Sequence, residues 1–340
     1  VNMTSLVSKT SPQDSTNHAQ GALPECIGFF LVPEFSMLSM AATVEPLRMA
    51  NRLSGETLFK WDMYSADDQE VKASNAMAFQ PTRPLADHEH LDTLIVVAGI
   101  GAHLYDNPEV KTWLKRLADR GCNIGATSTG SLLLARFGLL KNSTCTIHWE
   151  NLESFREEFP FLTITEELYE IDNRRFTCSG GLAGLDMMLS LISQRHSEAL
   201  AHAVAEQCIH PQIRPAHDSQ RMSLQSKFRI NNPRLIKAIQ VMRSHLSEQH
   251  TCAEIASAAN LSTRQLERLF KEHLNTTPNR FYLDMRLDKA RFLLVQSSLP
   301  IIEIASICGF GSTSYFAKCY REKFGHLPRE ERGKSDIQNN

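Results

Sequence analysis

No stretch of this chain reaches the ~20 consecutive apolar residues that a membrane-spanning helix needs. Its eight cysteines contain no Cys-x-x-Cys pair and join no His/Cys cluster at metal-ligand spacing. The first absence argues against a membrane protein. The second argues against a zinc module or a redox motif and leaves the cysteines as reduced, buried thiols of a cytoplasmic protein with no metal and no cofactor. The first residues also lack a signal-peptide hydrophobic region and are rich in Ser, Thr, Asn and Gln. Residues 1–23 are therefore expected to be a disordered tail, with a second short tail at 335–340. Charge of either sign is not in excess, since 36 Lys and Arg stand against 38 Asp and Glu. At 340 residues the chain exceeds one ordinary core, so two domains are expected.

What is present is a pattern written twice in the last hundred residues. Glu254-Ile255-Ala256-Ser257 recurs as Glu303-Ile304-Ala305-Ser306, and the stretch opening Ser262-Thr263-Arg264-Gln265 recurs in outline from Ser312-Thr313-Ser314-Tyr315. Each copy reads as a short amphipathic helix, a tight turn and a second helix capped by serine. In the first copy Leu266, Leu269 and Phe270 face inward, leaving Ser262, Thr263, Arg264, Gln265 and Arg268 at the outer surface. In the second, Phe316, Cys319 and Tyr320 face inward, leaving Thr313, Ser314, Tyr315, Lys318 and Arg321 outside. Polar and basic side chains at the start of a second helix are those that reach base edges in a major groove. Between the copies, Pro278 to Leu294 spaces apolar residues three and four apart, as a helix holding the two units at a fixed distance.

The balanced total hides an asymmetry. Residues 233–334 carry 16 Lys and Arg against 10 Asp and Glu, whereas residues 1–232 carry 20 against 27. Only the C-terminal part has the sign that suits phosphate, with Arg280, Arg286, Arg291, Arg321 and Lys323 as candidate backbone contacts. The run Ile304-Ala305, Cys308-Gly309-Phe310, Ser314-Tyr315-Phe316, Tyr320-Arg321, Phe324-Gly325 and Pro328 resembles the C-terminal signature of AraC/XylS-type transcriptional regulators. Leu327 stands where that family has Ser or Thr.

The N-terminal part alternates apolar runs with amphipathic stretches. Strands are predicted at Cys26–Val32, Phe59–Ala66, Leu94–Gly99, Cys122–Thr127 and Thr144–Trp149, with an edge hairpin at 71–80. Helices are predicted at Met37–Leu53, Pro108–Arg120, Ser131–Phe137, Leu182–Arg195 and 197–209. This order gives a doubly wound, flavodoxin-like α/β domain with a mostly parallel sheet, ahead of an all-α domain with two helix-turn-helix units. The expected division is 24–209, a linker at 210–231, and 232–334.

Gly125-Ala126-Thr127-Ser128-Thr129-Gly130 has the small-x-Ser-x-Gly form of a nucleophile elbow. Downstream, His148 follows an apolar strand, and Glu45 offers a carboxylate. In order and spacing residues 25–195 resemble the PfpI-type, class I glutamine-amidotransferase-like domain, and its union with an AraC-type module resembles the GlxA family of regulators. The hydrolytic members of that fold place cysteine at the elbow, commonly followed by histidine, whereas here Ser128 precedes Thr129. The elbow is therefore read as a ligand pocket with no catalytic residues and the protein as a non-enzyme, with an amidase tethered to DNA and a constitutive architectural binder as the competing readings.

Val44 to Asn51 together with His148-Trp149-Glu150 resembles the subgroup controlling catabolism of carnitine and glycine betaine. The resemblance implies that Phe35 and Trp149 face a trimethylammonium by cation–π attraction, that Glu45 balances its charge, and that Ser128, Thr129 and His148 receive the rest of the ligand. Phe35 and Trp149 read equally well as core residues, and arginine-responsive relatives share the framework. The resulting expectation is a ligand-responsive activator of a catabolic operon, with promoter DNA, a small-molecule effector, RNA polymerase and a second copy of itself as partners.

Overall fold

The computed structural model describes residues 23–85, 91–221, 228, 230–248, 250–297 and 299–332. The expected tails at 1–23 and 335–340 lie outside the described residues, except for residue 23.

Six strands form the main sheet in the order β2-β1-β5-β6-β10-β9. They are β1 (Glu25–Leu31), β2 (Phe59–Tyr64), β5 (Thr93–Val97), β6 (Asn123–Thr127), β9 (Tyr169–Asp172) and β10 (Arg175–Cys178). All neighbours run parallel except β10 with β9. The apolar runs are continuous because both faces of the sheet are covered. Phe29, Leu31, Ile95 and Val97 enter the core shared with α1 (Met37–Ser54), α5 (Ala183–Arg195) and α6 (Glu198–Gln207). Phe30, Val32, Leu94 and Val96 enter the opposite core, with α2 (Pro108–Asp119) and α3 (Gly130–Arg136).

The predicted hairpin at 71–80 is two short antiparallel strands, β3 (Val71–Lys72) and β4 (Ala78–Phe79). The strand predicted at Thr144–Trp149 is cut to β7 (Thr144–Cys145), paired with β8 (Thr163–Ile164) away from the main sheet. The polar groups of Thr146 explain the break. Its N–H donates to Thr177 Oγ1 (2.9 Å), its carbonyl accepts from Ser131 Oγ (2.7 Å), and its hydroxyl donates to the Glu167 carbonyl (2.9 Å). Those bonds replace a strand ladder, and the chain after Cys145 runs as a loop into α4 (Leu152–Glu158).

The C-terminal helices are α7 (Pro233–Ser244), α8 (Cys252–Ala258), α9 (Thr263–Leu274), α10 (Pro278–Gln296), α11 (Ile301–Ile307) and α12 (Thr313–Phe324). The internal repeat is reproduced bond for bond at the two turns. Asn260 N–H donates to Ser257 O and Leu261 N–H to Ala256 O; Gly309 N–H donates to Ser306 O and Phe310 N–H to Ala305 O. Asn260 (φ 55°) and Gly309 (φ 73°) both hold the left-handed conformation these turns need. Two small cores result, and α10 serves both: Tyr282 belongs to the first, and Leu287, Ala290, Leu293 and Leu294 to the second.

The chain after α6 is fastened down. Asp186 of α5 is fully buried, and its carboxylate accepts from the Arg214 backbone N–H (2.7 Å), from Arg214 Nε and an Nη (2.9 and 2.7 Å), and lies 2.8 Å from His210 Nε2. Removing the guanidinium would leave one oxygen of the buried carboxylate, Oδ2, without its two donors. Arg214→Ala is expected to lower the unfolding free energy by about 3 kcal/mol, the low end for a buried pair because the guanidinium is partly exposed. Denaturant unfolding that moves by less than about 1 kcal/mol would show the network to be dispensable.

Candidate functional site

Four loops meet at the C-terminal edge of the sheet, where open α/β sheets receive ligands. Ser128 ends β6 with φ 57°, a left-handed conformation in a non-glycine residue and the backbone form of an elbow. Its N–H donates to the Cys178 carbonyl (2.9 Å), and its own carbonyl accepts from His148 N–H (3.4 Å). Gly180 lies so close that a Cβ there would sit 2.7 Å from Ser128 Cβ, and its φ of 90° excludes side chains on a second ground. Gly181 N–H donates to Ser39 Oγ of α1 (2.9 Å). The Gly180-Gly181 pair thus borders the elbow. Thr129 Oγ1 donates to the Gly99 carbonyl (2.6 Å), tying the elbow to the loop after β5.

Among the described residues no hydrogen bond is made by the Ser128 hydroxyl, and His148 reaches Ser128 through its backbone only. Burial pushes the His148 imidazole down to about 4, so the ring is neutral at neutral pH. Glu150 N–H donates to its Nδ1 (3.4 Å), which puts the ring proton on Nε2. In this arrangement no base is hydrogen-bonded to the Ser128 hydroxyl, whereas a nucleophilic serine works with an adjacent base.

The remaining pocket candidates divide. Trp149 is 37% exposed, with its ring 5.5 Å from that of His148. Phe35 is fully buried, bridged through its backbone to Ala73 and Gly99 and edge-on to Phe79, so it packs as a core residue. Glu45 is not brought to the elbow. The stripe of α1 turned inward is Ser39, Ala42, Thr43, Pro46 and Leu47, and position 45 falls outside it, exposed and paired with Arg48 at 2.6 Å. The carboxylate that lies beside His148 and Trp149 is Glu150, 3.6 Å from His148 Nδ1, its pKa raised by burial and opposed by Arg221.

Arg221 was outside the sequence reading. Its guanidinium sits 4.2 Å over the Trp149 ring. Its neighbour Gln220 spans 74 positions to donate through Nε2 to Thr146 Oγ1 (3.0 Å), and also to the Ile147 and Glu167 carbonyls (3.1 and 2.8 Å). Contacts so distant in sequence have no local signature. A cleft of about 420 Å³ lined by Lys141, Asp172 and Arg175 lies at the other end of β10, away from these groups.

On the helical side the outward residues lie where the pattern put them. Ser262, Thr263, Arg264, Gln265 and Arg268 of the first unit, and Thr313, Ser314, Tyr315, Lys318 and Arg321 of the second, are exposed. Ser262 and Gln265 form a reciprocal capping box, with Gln265 Oε1 accepting from Ser262 N–H (2.9 Å). Arg268 lies 3.7 Å from Glu272. The candidate backbone contacts fare differently. Arg280 pairs with Asp284, Arg291 with Glu331 and Lys323 with Asp288, while Arg286 lies over the Tyr282 ring. Arg280 and Arg286 are thus held within α10, while Lys323 ties α12 to α10.

The two halves define a helix-turn-helix regulator with a DJ-1/PfpI domain: residues 30–194 match the DJ-1/PfpI family and residues 255–334 the helix-turn-helix domain family. The transcriptional regulator GbdR of Pseudomonas aeruginosa is 44% identical over 92% of this chain and 85% of its own length. CdhR of the same organism is 41% identical over 89% and 90%, and ArgR 37% over 92% and 94%. The chain belongs to the AraC-family transcriptional regulators that carry an N-terminal DJ-1/PfpI domain. An AraC family regulator from Pseudomonas putida superposes over 54% of this chain and 100% of its own, with TM-score 0.51 and 28% identity. A THiJ/PfpI family protein from Pseudomonas syringae, at 18% identity and TM-score 0.52 over 75% of this chain and 98% of its own, shares the fold. Among the described residues no helix is long and apolar enough to cross a membrane.

Because folding keeps His148 neutral, its pKa lies below the ~6.5 of the unfolded chain. The unfolded state therefore binds the proton first. The stability that this histidine permits is whole above pH 6.5 and declines as pH falls toward 4. Between those values the wild type is expected to lose more stability than His148→Gln; parallel pH profiles would contradict the assignment.

Proposed function

We propose that this regulator activates a catabolic operon in response to a small metabolite bound, without turnover, at the Ser128 elbow, and that the effector is a quaternary-ammonium compound such as carnitine or glycine betaine. Under this reading residues 24–209 sense the effector, 210–231 link, and 232–334 bind promoter DNA. A second copy of the chain and RNA polymerase complete its partners.

The observation that carries the reading is the Arg221 guanidinium over Trp149, beside an unpartnered serine hydroxyl and a neutral histidine. Aromatic faces attract cations, and a trimethylammonium is a desolvated cation of similar size. Effector and Arg221 therefore compete for one ring, with Glu150 as the nearby carboxylate. Losing its ring frees Arg221, and with it the Gln220 contacts that clamp the connector to the loop at 146–149. The same loop runs into α4, whose Glu153 pairs with Lys289 on α10, the helix shared by both DNA-reading units. Occupancy of the elbow thus biases the helix that positions them, by differential contacts in two states. A response to arginine is the second reading, favoured by the fact that a guanidinium already occupies the ring.

Thermal unfolding of the full chain in carnitine, glycine betaine, dimethylglycine and arginine tests this directly, because a ligand of the folded state raises stability by mass action. One of the quaternary compounds is expected to raise Tm, and Trp149→Ala to abolish the rise. A rise with arginine alone would favour the second reading. No rise with any of the four would defeat the sensor reading, and turnover of an amide or ester that Ser128→Ala abolishes would make the protein an enzyme. For the DNA module, Arg264, Gln265, Arg268, Tyr315 and Lys318 are assigned to base reading. Arg268→Ala is expected to weaken specific binding by about 1–3 kcal/mol while leaving binding to random duplex little changed. Equal losses on both would make it a phosphate contact.

A further inference from the structure

The turn between α7 and α8 gathers three side chains that the regulator's function does not use. One ligand atom from each of His245, Glu248 and His250 lies within 4.8 Å of the other two. We infer that this turn is a binding site for a divalent transition metal, with zinc as the fitting ion.

Three observations support the assignment. His245 Nδ1 lies 2.9 Å from the Val241 carbonyl, which can only accept, so Nδ1 carries the proton and the lone pair is left on Nε2. That is the outer-shell bond by which metal-binding histidines are held in one tautomer and one orientation. His250 Nε2 lies 3.0 Å from a Glu248 carboxylate oxygen, an arrangement in which an ion replaces the shared proton. The Glu254 carboxylate, 3.8 Å from His250 Nδ1, adds a second negative charge, although its oxygen is committed to the capping box with Thr251. Two imidazoles and one carboxylate make a donor set that zinc accepts, with water completing a tetrahedron. Contraction from 4.8 Å to the spacing of bound donors needs only small rotations of the exposed Glu248 and the half-buried His245 and His250. His245-Leu246-Ser247-Glu248-Gln249-His250 contains no cysteine and so lacks the spacing signature of a cysteine-bearing zinc motif.

The turn also bears on both DNA-reading units. The Tyr282 hydroxyl of α10 donates to the His245 and Glu248 carbonyls, and Arg286 donates to the Glu248 carbonyl. A Cβ at Gly309, in the second unit's turn, would come within 2.8 Å of the Leu246 carbonyl. An ion here stiffens a turn that touches both the shared helix and the second unit.

The experiment is zinc titration of the full chain by calorimetry, with thermal unfolding in zinc and in chelator. One equivalent of zinc is expected to bind and to raise Tm. His250→Ala and Glu248→Gln are each expected to weaken binding by more than tenfold, while Cys252→Ser, two residues away, leaves it unchanged. Glu248 is exposed, so its substitution tests the site without threatening the fold. No zinc binding by the wild type, or undiminished binding by both ligand variants, would overturn the proposal. A loss confined to Cys252→Ser would assign the zinc to a thiol instead.

Discussion

The left-handed backbone at Ser128 is the constraint on which the sensor half depends. A serine with φ 57° is tolerated because its neighbours over-determine it: the Cys178 carbonyl takes its N–H, His148 donates to its carbonyl, and Gly180 leaves room where any side chain would collide. The elbow turns the chain out of the sheet and starts α3, whose Ser131 in turn fixes Thr146 and so the loop bearing His148 and Trp149. One strained residue thereby sets both the floor and one wall of the pocket. The backbone of a nucleophile elbow is present without a base hydrogen-bonded to its serine, an arrangement consistent with the proposed binding of a ligand without turnover.

From that loop a single line of contacts leads outward. Thr146 is held from inside by Ser131 and Thr177 and from outside by Gln220, while Asp186 anchors the same connector six residues earlier through Arg214. The described part of the connector up to Arg221 is therefore bound across the loop at 146–149. Buried carboxylate and aromatic ring act on it differently. The Asp186 carboxylate is out of solvent and its network costly to break, whereas the Arg221 contact with a partly exposed ring is modest and exchangeable.

Local signals were the ones legible in the residues. Alternating apolar runs gave the strands, serine and Asn or Gly at fixed offsets gave the caps and turns of both helix-turn-helix units, and small residues around Ser128 gave the elbow. Each depends on a few neighbouring positions. Helix phase was harder: Glu45 lies one residue off the inward stripe of α1, and a rotation of about 100° moved it from pocket to solvent. The strand predicted through Trp149 failed because side-chain hydrogen bonds to Thr146 outcompeted a ladder that composition favoured. Gln220 and Arg221 were invisible, since nothing near them in the chain hints at a partner more than seventy positions away. The internal ion pairs of Arg280, Arg291 and Lys323 show the same limit, as a positive count does not reveal which cations are already spent.

The single helix α10, running from Pro278 to Gln296 and contributing side chains to two cores, has a bearing on promoters themselves. Two modules welded to one rod cannot adjust their spacing separately. Operator halves displaced by five base pairs would lie on opposite sides of the double helix, because a full turn takes about ten. If both units enter the groove as proposed, the gap between operator halves is fixed by the rod, which then acts as a ruler for length beside the units assigned to the bases.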